Sequence, residues 1–322
     1  MILAAGYGTR LRPVTYTLPK PMVPVCNRPL IGYAVEQYLR AGIRDIIVNL
    51  HHLPEPIERH LRDSYEAAFH FSHEPEILGT GGGVRKVRPL LASEDDFFLV
   101  NADTIQFPRY DALAAARRAR NALAALTLRH PPEGDRFTPV YLDGQGVVTG
   151  FGKGTGEALM FSGSHCISAR IFDWLPDKEF SGIVDEAYEP AMERGEVVAG
   201  AVDDGTWFDI GTPQRYMAAW RGVLGLMLTG ELEPPAGSVV QGDSLLHETA
   251  HVAGSAGRST VGEGSVIEGT IEDCAVWDGC RIAPGAVLRS CIVGHGVEVA
   301  AGVTLENALL VRDAEAVGIV LT

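Results

Sequence analysis

Several features are scarce in this chain of 322 residues. No apolar run approaches the roughly 20 residues that span a bilayer, and the start lacks the basic and apolar regions of a signal peptide. Only 27 Lys and Arg oppose 41 Asp and Glu, and the net charge of −14 argues against a nucleic-acid partner, which needs a basic face. The five cysteines follow no disulfide-framework spacing. We therefore expect a cytoplasmic protein without a membrane or nucleic-acid partner.

The first two-thirds of the chain alternates between strand-like and helix-like segments. Helical spacing or buried-strand patterns occur at 2–4, 30–41, 45–50, 57–65, 97–100, 110–122 and 124–128. Such alternation predicts an α/β domain with a mostly parallel sheet covered on both faces, and ligands bind such sheets at the carboxyl ends of the strands. That rule places the loop 6–12 and the residues after Val100 on the functional edge.

The composition changes after about residue 225, and residues 233–237 are typical of a linker. Aliphatic residues then recur about every six positions, at Val276, Ile282, Leu288, Val293, Val299, Leu305 and Val311, and less regularly upstream at Val261, Val266 and Ile271. This period predicts a hexapeptide-repeat, left-handed parallel β-helix. We therefore predict a catalytic domain over 1–225 and a β-helix domain over 237–322. Exposed coil faces and ends favour self-association into a homo-oligomer.

The strongest motif is LAAGYGTRLRP at residues 3–13, followed by PKPMVPV at 19–25. A glycine turn after a strand lets backbone N–H groups approach a phosphate closely. Arg10, Arg12 and Lys20 follow closely, and these cations would repel one another unless an anion lay among them.

These residues resemble the L-A-A-G-x-G-T-R-L-x-P…P-K-P motif of the nucleoside-diphosphate-sugar pyrophosphorylases, the sugar-1-phosphate nucleotidyltransferases. The resemblance extends at scattered motifs over about the first 225 residues and implies a Rossmann-like α/β fold. It also implies that Arg10 and Lys20 stabilise charge on the α-phosphate and on the departing pyrophosphate. The residues implied to wrap the triphosphate are Leu3, Ala4, Ala5, Gly6, Gly8, Thr9 and Arg10.

Two carboxylates are candidates for holding Mg²⁺. Asp103 follows the buried strand FFLV, where a carboxylate is well placed for a hard cation that prefers oxygen ligands and substrate phosphates. The segment resembles the family's L-V-x-x-G-D motif, with Ala102 in place of the usual glycine. GTWFDIGTP at 205–213 resembles W-x-D-I-G-T-P, and the resemblance implies that Asp209 completes the metal site.

The segment HEPEILGTGGG at 73–83 resembles the loop that reads the nucleobase in this family. The resemblance implies that Gly79 and Thr80 approach the base through their backbone. Glu76 can accept from the guanine N1–H and N2 amine, which favours GTP. The same run also resembles that of N-acetylmuramate-1-phosphate uridylyltransferases, so UTP stays open.

The sugar side carries three weaker candidates. GFGKG at 150–154 lies where the family commonly has E-K-P, which makes Lys153 the candidate for gripping the sugar phosphate. Gly163 corresponds to a turn that leaves room for the sugar ring, and Asp185 is a candidate contact for a sugar hydroxyl. An exposed lysine without a role is the alternative interpretation of Lys153.

The implied reaction is an in-line attack of a sugar 1-phosphate on the α-phosphorus of a nucleoside triphosphate, with release of pyrophosphate. Our preferred pair is GTP with mannose 1-phosphate. The alternative is UTP with N-acetylmuramate, amino-sugar or glucose 1-phosphate. Two other classes remain open: a β-helix acyltransferase, and a catalytically silent sensor or scaffold.

Overall fold

The computed structural model describes residues 1–132, 134, 137–312 and 317–318. The chain forms two compact units. The first unit joins Met1–Tyr7 to Tyr33–Trp207, and the second joins Gly8–Gly32 to Phe208–Thr322. Residues 8–32, which carry Arg10 and Lys20, therefore group with the C-terminal repeat, a division that differs from a single boundary near residue 225.

The first unit contains one nine-stranded sheet and the separate short strand β5. The strands are β1 (Ile2–Leu3), β2 (Asp45–Leu50), β3 (Ala68–His73), β4 (Asp96–Asn101), β5 (Thr104–Gln106), β6 (Ala124–Arg129), β7 (Val140–Leu142), β8 (Val148–Phe151), β9 (Glu157–Ser168) and β10 (Val198–Val202). The sheet order is β8-β7-β9-β4-β1-β2-β3, with β6 between β9 and β10.

The expected α/β sheet is present, but it is mixed and not wholly parallel, and β7 pairs antiparallel with both β8 and β9. β1 pairs in parallel with β2 and β4, and β6 pairs in parallel with β10. The twelve-residue β9 runs antiparallel to β4 and β6. The carboxyl ends of β1, β2 and β4 therefore share one edge of the sheet, as predicted.

The described residues form seven α-helices, three of which the spacing predicted, over 30–41, 57–65 and 110–122. They are α1 (Leu30–Arg40), α2 (Pro54–Ser64), α3 (Gly79–Lys86), α4 (Arg88–Leu91), α5 (Tyr110–Ala119), α6 (Glu189–Glu193) and α7 (Pro213–Leu228), with a π-helical turn at Val184–Tyr188. In α2, Ile57 and Leu61 lie four residues apart and are both buried, which is the core stripe of an amphipathic helix. Among the described helices, none is both long enough and apolar enough to cross a bilayer.

The second unit contains the short hairpin Pro24–Val25 and Arg28–Pro29, helix α7, and a region of short repeated strands. Sheet R1 comprises Ser238–Gln241, Ser244–His247, Thr260–Val261, Ala275–Val276, Ile292–Val293, Ala308–Leu310 and Val317–Gly318. Sheet R2 comprises His251–Val252, Val266–Ile267, Arg281–Ile282 and Glu298–Val299. Sheet R3 comprises Ser255–Gly257, Thr270–Glu272, Val287–Arg289 and Thr304–Glu306.

From residue 244 to 310, consecutive strands visit R1, R2 and R3 in turn, and the strands within each of these sheets pair in parallel over that range. The recurring aliphatic residues, among them Val276, Ile282 and Leu288, fill the core of this region. At two positions the six-residue pattern predicted as core the residue next to the one that is buried. Ile267 and Leu310 belong to the core, whereas Val266 and Val311 are half-exposed.

Candidate active site

The glycine turn of the first motif packs directly against Lys20. Gly8 has φ +62°, and a Cβ placed there would lie 2.8 Å from the Cβ of Lys20 and 3.1 Å from Cγ2 of Thr15. The Thr15 hydroxyl donates to the Gly8 carbonyl at 2.9 Å. Glycine is therefore required by both conformation and space. Lys20 is only 7% exposed, and its Cδ lies 3.5 Å from that same Cβ position.

The other residues of this motif follow in order along the loop. Leu3 ends β1, Ala4 and Ala5 are buried, and Gly6 is exposed with open space beside it. Thr9 and Arg10 are exposed and begin a 3₁₀ turn over Thr9–Leu11.

Arg10 and Asp209 come together within the second unit. Nη1 of Arg10 and Oδ2 of Asp209 each lie 2.9 Å from the position that a Cβ would take on Gly211. Arg215, which the sequence analysis did not select, also donates from Nη1 to Oδ2 of Asp209 at 2.6 Å. The Asp209 carboxylate thus lies near two guanidinium groups.

The start of α7 explains how this geometry is fixed. Thr212 has an extended backbone and its hydroxyl accepts from the Arg215 N–H at 3.3 Å, and Pro213 occupies the first helical position. These are the preferred residues of a helix N-terminus. The capped turn places Arg215 on the same side as Asp209, six residues earlier.

In the first unit, a buried hydrogen-bond network links Ala4, in the glycine-rich motif 3–13, to the segment 73–83 that is predicted to read the base. The Ala4 N–H donates to Oδ1 of Asn49 at 2.8 Å, and Nδ2 of Asn49 donates to Oε1 of Glu74 at 2.7 Å. Oε2 of Glu74 accepts from the Leu78 N–H at 3.0 Å. Asn49 and Glu74 are each 3% exposed, whereas Glu76 is exposed. Sequence reasoning selected Glu76 and missed Glu74, although Glu74 directly follows the strand β3.

A second connection runs in parallel through His51, at the end of β2. Its Nδ1 lies 2.7 Å from the Glu74 carbonyl oxygen, which only accepts, so Nδ1 carries the proton. Its Nε2 lies 2.9 Å from the Tyr7 hydroxyl, within the glycine loop. His51 is therefore more than a loop residue, because it joins the same two segments as Asn49.

The glycines of the predicted base-reading loop make room for protein backbone. A Cβ on Gly79, whose φ is +71°, would lie 2.5 Å from the Ser181 carbonyl oxygen, and one on Gly82 would lie 2.3 Å from the Glu179 carbonyl oxygen. The Thr80 hydroxyl accepts from the Ile183 N–H at 2.9 Å. The segment 179–183 thus packs directly against Gly79 and Gly82, and the approach of the Gly79 and Thr80 backbone to a base stays a prediction.

Asp103 and Gly163 lie on neighbouring strands at the functional edge of the sheet. Asp103 follows β4 by two residues, and Ala102 has a negative φ, so alanine replaces glycine there without backbone strain. Gly163, with φ +102°, lies at a register shift in β9, and its missing Cβ would come within 3.0 Å of Nδ2 of Asn101. The structure thus brings Gly163 beside the end of β4.

Lys153 and Asp185 are the other two residues predicted for the sugar side. Lys153 occupies an exposed turn between β8 and β9. Asp185 lies in the π-helical turn, and its carboxylate packs beside Gly182, where a Cβ would be 2.0 Å from Oδ1. Their roles toward a sugar remain predictions from resemblance.

Comparison with known proteins extends these observations. A family model described as nucleotidyl transferase matches residues 1–224. A mannose-1-phosphate guanyltransferase of Schizosaccharomyces pombe is 29% identical over 264 residues, covering 78% of this chain and 72% of the relative. A UTP–glucose-1-phosphate uridylyltransferase of Synechocystis is 29% identical over 243 residues, covering 70% of this chain and 63% of the relative. HddC from Yersinia pseudotuberculosis has the same fold, with a TM-score of 0.57 and 24% identity, over 69% of this chain and 97% of that chain.

Proposed function

This chain belongs to the nucleotidyl transferase family and is a sugar-1-phosphate nucleotidyltransferase, and within that activity we propose GTP and mannose 1-phosphate as its substrates. The proposal joins the phosphate of the sugar to the α-phosphorus of the nucleotide and releases pyrophosphate. One observation carries it: a single compact unit holds Lys20 against the glycine turn and Arg10 beside Asp209. Cations gathered in this way suit a polyanionic substrate.

The proposed roles follow from charge. The attacking phosphate oxygen is already an anion, so the chain needs no general base, and its task is to position the groups and neutralise charge. Lys20, which is held rigidly by burial, would balance charge on the α-phosphate. Arg10, which is exposed on the turn Thr9–Leu11, would contact the departing pyrophosphate. Removing one such preorganised cation is expected to cost about 10²–10³ in turnover.

A divalent cation fits the donor chemistry of the two predicted ligands. Asp103 and Asp209 supply carboxylate oxygens, the ligand type that Mg²⁺ prefers when it also binds substrate phosphates. We therefore propose that these two residues hold Mg²⁺, which would neutralise charge on the triphosphate and orient it. Arg215 holds Oδ2 of Asp209 at 2.6 Å and fixes the direction of that carboxylate.

The proposal of GTP as the nucleotide rests on fewer observations than the proposed reaction does. The guanyltransferase relative supports GTP, and an exposed Glu76 agrees with a side chain that is accessible to a ligand. The uridylyltransferase relative makes UTP with glucose 1-phosphate the second candidate. Both alternatives keep the same mechanism.

The remaining predictions complete the proposal. R1, R2 and R3 are visited in turn by parallel strands, which supports a left-handed parallel β-helix of hexapeptide repeats. We propose that the protein works in the cytoplasm as a homo-oligomer. The acyltransferase and silent-scaffold alternatives are less favoured. The activity of the family accounts for Arg10, Lys20, Asp103 and Asp209 together.

The test is pyrophosphate release with Mg²⁺ across the common nucleoside triphosphates and a panel of sugar 1-phosphates. Asp103→Asn should abolish turnover. Asp111→Asn, which removes an exposed carboxylate at the start of α5, is the matched control and should retain it. Turnover confined to GTP with mannose 1-phosphate supports the substrates, and turnover with UTP alone overturns the base. No turnover with any pair would contradict the assigned activity.

A further inference from the structure

One face of the repeat region differs from the other two. In sheet R1 the residues that alternate with the core-facing aliphatics form one column in register across the strands. This column, which points away from the core of the repeat, consists of Leu245, Thr260, Ala275, Ile292 and Leu309. Every member is 2% exposed or less.

The corresponding positions of R2 and R3 include charged residues that face solvent, although R2 also has the half-exposed Val266. Arg281 and Glu298 pair in register on R2 and are both exposed, and Glu272 and Arg289 do the same on R3. A repeat whose outer positions are buried on one face must have that face covered, because alternate residues of a strand point to opposite sides.

Part of the cover is the segment that carries the nucleotide loop (residues 6–12), and α7 contributes at Thr260, whose hydroxyl accepts from Nε1 of Trp220 at 3.0 Å. Leu11 and Val14 line one small apolar cavity together with Trp277, Ile292 and Leu309 of the repeat and Tyr216 of α7. All six side chains are less than 6% exposed. The cavity is too small and too apolar to suggest a ligand. We read it as the packing seam between the loop and R1.

Hydrogen bonds tie the same segment to the repeat. Nε1 of Trp277 donates to the Tyr216 hydroxyl at 2.9 Å, and that hydroxyl donates to the Pro24 carbonyl at 2.7 Å. Nδ2 of Asn27 donates to the Val261 carbonyl at 3.0 Å. Buried polar chains of this kind fix geometry, because any displacement leaves groups unpaired.

The seam is directly adjacent to the proposed catalytic cations. Leu11 follows Arg10 in the turn Thr9–Leu11, and its N–H donates to the Gly8 carbonyl at 3.0 Å. Gly8 in turn packs on Lys20. Movement of Leu11 off the repeat would therefore shift both Arg10 and the Gly8–Lys20 contact.

We propose that sheet R1 is a positioning element of the reaction, which holds the nucleotide loop in its phosphate-binding conformation through Ile292, Leu309 and Trp277. This inference rests on the proposed function, since it concerns the loop that would bind the triphosphate. It gives the repeat a role in turnover within each chain, separate from any role in assembly. The exposed faces R2 and R3 stay available for other copies.

The experiment compares two truncations of the same size in the same repeat. Ile292→Ala removes a side chain that faces the loop, and Ile282→Ala removes one that faces the core of the repeat, away from the loop. We expect Ile292→Ala to reduce kcat/KM for the nucleotide about tenfold or more and to leave KM for the sugar phosphate unchanged. Ile282→Ala should lower the melting temperature with normal kinetic constants. Equal kinetic losses in both would overturn the proposal and indicate a structural role only.

Two further variants keep the inference testable if Ile292→Ala folds poorly. Ile292→Val removes one methylene, and Trp277→Phe removes the indole N–H while it keeps an aromatic ring. Hydrogen exchange at the amides of residues 8–12 supplies a readout that needs no turnover. These amides should exchange faster in the Ile292 and Trp277 variants and normally in Ile282→Ala. Unchanged exchange in the former would overturn the inference even if the wild type proves inactive, whereas absence of wild-type turnover alone would contradict only the assigned activity.

Discussion

The buried carboxylate of Glu74 is the point where one atom exchange should have a measurable effect. Both of its oxygens accept from N–H donors, Nδ2 of Asn49 at 2.7 Å and the Leu78 amide at 3.0 Å. Glu74→Gln keeps the shape but turns one acceptor into an NH₂ group. One of the two N–H donors must then face another donor in a site that is 3% exposed.

The magnitude follows from these contacts. A hydrogen bond to a charged group contributes about 1.5–3 kcal/mol, and burying an unpaired donor has a cost of similar size. We expect Glu74→Gln to lower the free energy of unfolding by about 2 kcal/mol. At about 2–4 °C per kcal/mol, the melting temperature should fall by roughly 4–8 °C. The nucleotide KM should also rise, because Asn49 orients the Ala4 amide.

The matched control lies two residues away. Glu76→Gln makes the same chemical change on an exposed side chain, and surface changes of this kind usually alter stability by less than about 0.5 kcal/mol. If Glu76 reads guanine, that variant should shift the preference from GTP toward UTP at unchanged stability. If Glu74→Gln is as stable as the wild type, the stabilising role of this hydrogen-bond network is refuted. A change of base preference in Glu74→Gln, but not in Glu76→Gln, would move base reading to Glu74.

Three further outcomes are expected. Gly79→Ala should lower the free energy of unfolding, measured in urea, by about 3 kcal/mol or more, because φ is +71° and the Ser181 carbonyl oxygen lies where the Cβ would be. Gly42→Ala, at φ +79° in open space, should lower it by only about 1–2 kcal/mol. Equal losses in the two variants would contradict the packing account. Arg215→Ala should weaken Mn²⁺ binding measured by calorimetry, since Asp209 loses the partner that directs it; unchanged affinity would rule this out. Burial lowers the pKa of His165 to about 3, so below about pH 6.5 the unfolded chain binds a proton that the folded chain does not. As the pH falls from 6 to 4, the free energy of unfolding should therefore fall by about 1.4 kcal/mol per pH unit relative to that of His165→Gln. Parallel pH profiles of the two proteins would contradict this.

Local patterns predicted much of the first unit. The run DIIVNL forms the strand Asp45–Leu50 with the predicted bounds, and the helix expected over 30–41 ends one residue earlier. These elements are specified by periodic burial, which is visible in a short window. The antiparallel course of β9 was not predicted, because strand direction depends on partners that are distant in sequence.

The candidate site was likewise predicted from local sequence only in part. The motif predicted that Lys20 acts together with the glycine turn, and the structure packs Lys20 against Gly8, while its role toward a phosphate stays a prediction. Glu74 was missed because Glu76, two residues later, is the same residue type, and burial separates the two only in three dimensions. The packing of Gly79 and Gly82 against the segment 179–183 was not predicted, because that segment lies a hundred residues later in the chain. The outer column of R1 carried a readable signal: apolar residues such as Ile292 and Leu309 stand where R2 and R3 have charged ones.

The grouping of residues 8–32 with the C-terminal part of the chain has a consequence for biosynthesis. These residues leave the ribosome well before the helix and repeat on which they pack, because the second stretch of this unit begins at Phe208, about 175 residues after Gly32. At about 5–20 residues per second, the segment waits roughly 10–35 s for the start of its partner. Throughout that interval the apolar side chains of Leu11, Val14 and Val23 have no cover from α7 or the repeat. The nascent chain therefore carries an exposed apolar segment that a holding chaperone could recognise until α7 and the repeat have been made.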